Sequence, residues 1–413
     1  SAHEQLLTRI PQLLSDLHLT HGDVRVFTTP RRLTVSIDSL APNQPDREDL
    51  VKGPPADKAL DKDGKPTQAG LGFAKKNNID PSSLEVREEG SNKYVFAVVK
   101  QKGRPTPEVL AEALPKLVDG IKFEKSMRWN DSGVSFSRPI RWYVALLGDM
   151  VIPFEYAGVV SGNVSRGLRP YDSPEIKIPS AEKYFDIIRE AGILLDKEER
   201  KASIVEQVKQ AADVIGGEAI IEEGLLNEVT NLIEMPTAVM GGFNEEFLSL
   251  PRDVLISVMK KHQRYFPVQP ATLNVERSTL LPHFIAIRNG DDIGLDIVRE
   301  GNEHVLGARF ADANFFVRED VKLKLEEYRP KLASLTFHTK LGSMLDKSTR
   351  ILKLGAEVGA LLGFKDVSVI KSLARAAFLM KADLVTQMVT EMTSLQGIIG
   401  GEYALRSGED PEV

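Results

Sequence analysis

Two short windows of the chain concentrate side chains able to hold a phosphate or stack on an unpaired base. Residues 121–169 carry seven Lys/Arg against four Asp/Glu, together with both tryptophans. In Lys125-Ser126-Met127-Arg128-Trp129 and Arg138-Pro139-Ile140-Arg141-Trp142, cations stand beside aromatic rings. Guanidinium and ammonium groups contact phosphate oxygens, and an exposed ring can stack on a base. The competing reading makes the tryptophans core and the arginines a solvated rim; it suits the tryptophans better than the arginines. The second window is Met259-Lys260-Lys261-His262-Gln263-Arg264-Tyr265-Phe266, a run of donors ahead of an apolar Tyr-Phe-Pro-Val. A solvated helix end explains it as well as a ligand site does. Arg128, Arg138, Arg141, Lys260, Lys261 and Arg264 are therefore the candidate RNA contacts.

Other chemistries find little support. Cysteine is absent, which excludes disulfides, thiol nucleophiles and Cys-ligated metals, and fits a reducing, cytosolic compartment. There is no Walker A loop, no HExxH helix and no GxSxG elbow. Gly70-Leu71-Gly72 does not complete a GxGxxG and follows no strand. Of the seven histidines, only His18 and His21 lie within metal-ligand spacing of each other, and that pair reads as a solvated helix end.

The elements that position these windows can be read from apolar periodicity. A length of 413 residues suggests two or three domains, and 42% hydrophobic with 27% charged residues is an ordinary globular composition. The net charge of −6 does not advertise nucleic-acid binding, yet permits a local basic surface. No apolar run approaches the ~18 residues of a membrane span, and Ser1 opens no signal peptide. With no initiator Met, the chain reads as an excised piece. Alternation over Val24–Ile37 predicts two strands joined at Pro30, and Tyr94–Val99, Trp142–Leu147, Val151–Phe154 and His283–Ile287 predict further strands. Residues 57–78 read as a loop and a short helix. Ile204, Val208, Ala212 and Ile215 share one helix face, ending at Gly216-Gly217; Leu225, Val229, Leu232 and Ile233 share another, up to Pro236. Everything after Asp320 reads as helix, with apolar faces at Ile351, Leu354, Val358, Leu361, Leu362 and at Val369, Leu373, Ala376, Met380, Leu384. The expected fold class is α+β: a mixed body in two regions, residues 1–170 and 171–325, followed by an all-helical module at 326–413.

A set of short strings, in order from about residue 20 to 408, resembles one family, the β subunit of the bacterial-type heterotetrameric glycyl-tRNA synthetase. They are TTPRRL (Thr28–Leu33), QPD (Gln44–Asp46), KGP (Lys52–Pro54), SMRW (Ser126–Trp129), RPIRW (Arg138–Trp142), MKKHQRYFPV (Met259–Val268), GNEHVL (Gly301–Leu306), KLGSMLDK (Lys340–Lys347) and KADLVTQMV (Lys381–Val389). The resemblance implies a cytoplasmic, α2β2 glycine–tRNA ligase in which the α subunit activates glycine with ATP and Mg. It implies that this chain binds tRNA(Gly) and the α subunit, holds no cofactor of its own, and acts on neither DNA nor membrane. It implies a tRNA-binding region at 171–325, an HD-like helical domain, incomplete here, at 326–413, and no anticodon-binding domain before Val413. Two departures stand out: the family's opening Glu-Ile-Gly-Thr-Glu-Glu strand is missing, and Leu168 follows Arg166-Gly167 where a His is common.

The HD resemblance raises a runner-up, a metal-dependent phosphohydrolase acting on nucleotides. Such a site needs a His, an adjacent His-Asp pair and a further Asp around a metal that activates water. Asp383 stands in Lys381-Ala382-Asp383 with no His before it, and His338 and Asp346 add little to the ligand set. Asp346 and Asp383 are thus expected to be vestigial, Asp383 serving an ion pair or a helix N-terminus. A third possibility is an oligomerisation scaffold without RNA contact.

Overall fold

The computed structural model describes residues 1–61, 63–89, 92–271 and 280–413. The fold is α+β, in two compact units, Ser1–Asp196 and Lys197–Val413. The sequence reading placed boundaries near 170 and 325 instead. Within the second unit, residues of 326–413 bury side chains in the same core as residues before 325, as described below.

In the first unit, the helix Ala2–Asp16 buries Leu6, Ile10 and Leu14, four residues apart and so on one face. They pack with Val26, Leu110, Ile121 and Ile152. Val26 belongs to the expected hairpin, Val24–Thr28 paired antiparallel with Leu33–Ile37. The turn between the strands is set by Thr29, whose hydroxyl accepts the backbone N–H groups of Arg31 and Arg32 at 3.2 and 3.0 Å, with Pro30 restricting φ. A second antiparallel sheet orders Arg47–Pro55, Asn92–Gln101 and Glu85–Glu89, with Asn92–Gln101 central; it contains the expected Tyr94–Val99. The expected pair around Gly148-Asp149 is present as short ribbons, Tyr143–Val144, Leu146–Leu147 and Met150–Val151. Val164–Arg166 pairs with Glu175–Lys177.

The second unit is built on a four-stranded antiparallel sheet in the order Gly217–Ala219, Phe266–Pro270, His283–Asn289, Pro236–Gly242. Phe284-Ile285-Ala286-Ile287 is a continuous apolar run because both faces of this strand are covered. Ile285 and Ile287 face the helices Lys197–Val214 and Glu223–Thr230, through Ile204, Val208, Leu225 and Val229. Phe284 and Ala286 face the other way, onto Leu306, Phe310 and Ala313 of the helix Leu295–Asp320. Within the first of these layers Arg200 is fully buried, and its Nε donates to the carbonyl of Thr230, at the end of Glu223–Thr230, at 3.0 Å. A helix C-terminus presents unsatisfied carbonyls with partial negative charge, so a cation is placed well there.

The core around Phe310 continues through Leu379, Ala382, Met388, Leu395, Ile399 and Tyr403. One buried carboxylate ties these parts together. Asp320, the last residue of the long helix, accepts the backbone N–H groups of Gln387 and Met388 at 2.8 and 3.0 Å and the Tyr403 hydroxyl at 3.1 Å. It thereby caps the helix Gln387–Glu391. Burial and the neighbouring carboxylate push the Tyr403 hydroxyl well above the ordinary phenol range, so it remains a donor. The region after Asp320 is not wholly helical: Thr336–His338 and Gly342–Ser343 form a small antiparallel ribbon. It precedes the helices Met344–Leu361 and Val367–Leu379.

Candidate nucleic-acid interface

In the first unit the hairpin turn, the Trp142 segment and residues 166–173 come together, although the turn lies more than a hundred residues from the other two in sequence. Arg31 donates through Nη1 to the Gly167 carbonyl at 2.7 Å and through Nη2 to the Ser173 hydroxyl at 2.9 Å. Arg32, 5% exposed, donates to the Arg166 carbonyl. Both guanidiniums stand over the Trp142 ring, 5.6 and 5.7 Å from its centre, a cation–π arrangement. Gly167 is required at this junction, because a Cβ there would lie 2.7 Å from the Pro174 ring. Leu168, at the position where a His was expected, is 4% exposed and serves as core. Trp142 thus acts as a platform that positions a turn, and the residues that sequence reasoning missed here are Arg31 and Arg32. Their doublet after Thr-Pro was the available signal.

The first unit also carries cations of a different kind. Arg128, Arg138 and Arg141 are exposed and make no ion pair or side-chain hydrogen bond among the described residues. Met127 and Phe136 exchange backbone hydrogen bonds at 2.8 and 3.1 Å. That bridge sets the segments carrying Arg128 and Arg138 side by side, while Arg141 directly precedes Trp142. Arg169, which the sequence reading did not select, is exposed as well. An unpaired surface guanidinium retains all five donors for an incoming anion, and its planar fork matches a phosphate. Trp129 and Trp142 are both half-buried.

The second window folds differently from a plain helix end. The helix Arg252–Ser257 passes into a π-helical turn over Val258–Gln263, and Arg264 then adopts a left-handed backbone with φ +59°. Met259 is fully buried, which anchors the turn. Lys260 is 19% exposed and ion-paired with Glu222. Arg264 Nε donates to Glu228 at 2.6 Å. Lys261 is exposed and makes no such pair among the described residues. Of the six selected cations, then, the structure brings Arg128, Arg138 and Arg141 to one stretch of the first unit; Lys260, Lys261 and Arg264 belong to the second. Glu222 and Glu228 lie on or beside the helix Glu223–Thr230, far from the basic window in sequence, so these pairings had no local signal.

Asp346 and Asp383, expected to be vestigial, have local partners. Asp346 caps its own helix, accepting from the backbone N–H and the hydroxyl of Ser343 at 2.7 and 2.8 Å; these bonds hold its carboxyl below the usual range. Asp383 is 2% exposed and accepts the N–H of Gly397, which leads into the helix Ile398–Arg406, at 2.5 Å. Gly400 packs so closely that a Cβ would sit 3.1 Å from the Asp383 carboxyl carbon. No group of three or more metal-ligating side chains occurs among the described residues, and no described helix is long and apolar enough to cross a membrane.

Comparison with known proteins adds the following. A family model described as glycyl-tRNA synthetase beta subunit matches residues 1–413. The glycine–tRNA ligase beta subunit of Trichodesmium erythraeum is 44% identical over 416 residues, covering the whole chain and 58% of that relative. That of Clostridioides difficile is 42% identical over 413 residues, covering the whole chain and 59% of the relative. A glycine–tRNA ligase, chloroplastic/mitochondrial 2, of Arabidopsis thaliana is 43% identical over the whole chain and 38% of its own length. The chain therefore spans less than two thirds of the curated relatives it matches.

Proposed function

The chain belongs to the glycyl-tRNA synthetase β-subunit family, and from that premise we propose that it is the RNA-holding, non-adenylating part of a glycine–tRNA ligase. In this reading it grips tRNA(Gly) through phosphates and supports a separate α subunit in the cytoplasm. That subunit activates glycine with ATP and Mg, and this chain needs no cofactor. The observation that carries the reading is the set of exposed guanidiniums without ion pairs, Arg128, Arg138 and Arg141, on segments joined by the Met127–Phe136 bridge. Phosphate contacts are the main source of affinity for nucleic acid, and a chain of net charge −6 must supply them locally. The arginines that pack on Trp142 hold the segment in shape; those without ion pairs face an incoming backbone.

The division of labour is tested by pyrophosphate exchange. With this chain alone, glycine-dependent exchange between ATP and pyrophosphate is expected to stay at background, since no motif for binding ATP was found in it. Robust exchange by the isolated chain would place adenylation here and overturn the assignment to a partner. Nothing specific favours the phosphohydrolase reading, given that Asp346 and Asp383 are committed to helix capping.

A further inference from the structure

Beside the π-helical turn a cleft of about 270 Å³ opens in the second unit. Part of its lining is apolar, from Leu232, Ile287 and Val298. Polar side chains line it too, Gln263, Tyr265 and Asn302, with Asn302 one helical turn beyond Val298, and none of the three makes a hydrogen bond among the described residues. Tyr265 is 6% exposed, so most of its ring is enclosed. Burial also pushes its pKa up to about 12, so it stays protonated and able to donate. Its ring is held rigidly against Phe284, stacked at 4.5 Å and 15°. Arg264 stands at the rim with Nε given to Glu228, which leaves its two terminal nitrogens for another acceptor.

Two backbone irregularities adjoin this cleft. The π-helical turn of Val258–Gln263 delivers Gln263, and the left-handed residue Arg264 follows at once. π-Helical turns concentrate at functional sites, and a non-glycine residue at positive φ persists only where its surroundings enforce it. Tyr265 then enters the sheet through the neighbouring strand Phe266–Pro270. The sequence thus bends its backbone in order to set an amide, a guanidinium and a phenol on three successive residues at one cleft.

We infer that this cleft takes one unpaired ribonucleotide, its base against the apolar side chains and its phosphate on Arg264. Amides that both donate and accept, as in Gln263 and Asn302, can satisfy the edge of a base, which presents both kinds of group. The volume of about 270 Å³ lies just below the range of drug-sized ligand pockets, about 300–1,000 Å³, so it has room for no more than a single nucleotide. The inference deepens the proposed function and rests on it for the source of the nucleotide, a splayed-out residue of the bound tRNA; a free nucleoside monophosphate offers the same chemistry.

The test combines ultraviolet crosslinking of tRNA(Gly) to the wild-type chain with equilibrium binding. Titrants are tRNA(Gly) and, separately, AMP, CMP, GMP and UMP. The variants are Asn302→Leu and Gln263→Ala. The expected result is a crosslink within Gln263-Arg264-Tyr265, and an affinity for tRNA lower by about tenfold in either variant, the order expected for one lost hydrogen bond. The salt dependence is expected to be unchanged, because an amide–base contact displaces no counterion. Salt-dependent tRNA binding with crosslinks elsewhere and both variants at wild-type affinity would overturn the cleft while leaving the RNA-holding role intact. Absence of tRNA binding would remove that role; a mononucleotide that saturates wild type but not Asn302→Leu would then keep the cleft as a site for free nucleotide. Binding of neither overturns the inference. Should Asn302→Leu misfold, Gln263→Ala and the wild-type crosslink still decide.

Discussion

At the scale of the residue, charge alone does not distinguish a ligand contact from a structural group. Arg31 and Arg32 are adjacent cations, yet carbonyls and Trp142 engage them. Arg264 and Lys260 looked like surface donors in sequence, and Glu228 and Glu222 partly neutralise them. Sequence could not reveal this, since an ion pair depends on which distant carboxylate the fold delivers. Asp383 shows the opposite case. Without a preceding His it is expected in an ion pair or at a helix N-terminus, and it accepts the Gly397 N–H at the start of a helix. Asn at position 383 keeps an acceptor oxygen in place, whereas Ala leaves that buried N–H unpaired. Asp383→Asn is thus expected to lower unfolding free energy by about 1 kcal/mol and Asp383→Ala by about 2–3 kcal/mol. Urea denaturation of the three proteins measures both; equal losses for Asn and Ala would show that the negative charge, not the acceptor, matters.

Among the elements, legibility followed burial on both sides. Phe284–Ile287 was readable because a strand covered on two faces is apolar throughout, and Ile204, Val208 and Ala212 because one face meets a sheet. The helix Leu295–Asp320 escaped notice for a physical reason. Its buried stripe of Leu306, Phe310, Ala313 and Val317 is accompanied by exposed Ile297, Val305 and Phe315, which blur the periodicity. The converse holds in Met344–Leu361: the apolar repeat was legible, but Leu354, Val358 and Leu361 are exposed, Leu361 by 87%. Near the end of the chain, Arg375 bridges Glu326 at 2.8 Å and Glu409 at 2.5 Å, pinning residue 409 to the start of the helix Leu325–Tyr328. The Arg375 guanidinium holds the Glu409 carboxyl below its usual range, and that side chain is only 15% exposed. A carboxylate with a depressed folded pKa stabilises above its unfolded pKa, roughly 4.3, and loses that contribution as pH falls through the folded value. The melting temperature of wild type should therefore exceed that of Glu409→Gln at about pH 6, and the gap should close as pH falls from about 5 to about 3. A gap that persists or widens in acid would mean that Glu409 acts through packing.

For the whole molecule, an acidic total and a locally basic interface are compatible, because charge on exposed unpaired groups counts for more than the sum. The α+β class was readable from element patterns, whereas the grouping into Ser1–Asp196 and Lys197–Val413 was not. Asp320 and the shared core around Phe310 join segments that local periodicity treats as separate. The central claim is that Arg128, Arg138 and Arg141 hold tRNA phosphates, and the measurement closest to it is the affinity for tRNA(Gly) as a function of salt. It is to be made on wild type and on Arg128→Glu/Arg138→Glu/Arg141→Glu, with circular dichroism confirming that both are folded. Each lost phosphate contact reduces the slope of log K against log salt by roughly 0.7–0.9. The account predicts a steep slope for wild type and, in the triple variant, weaker binding with a slope flatter by about 2 to 3. Equal affinity and equal slope in two folded proteins would contradict it.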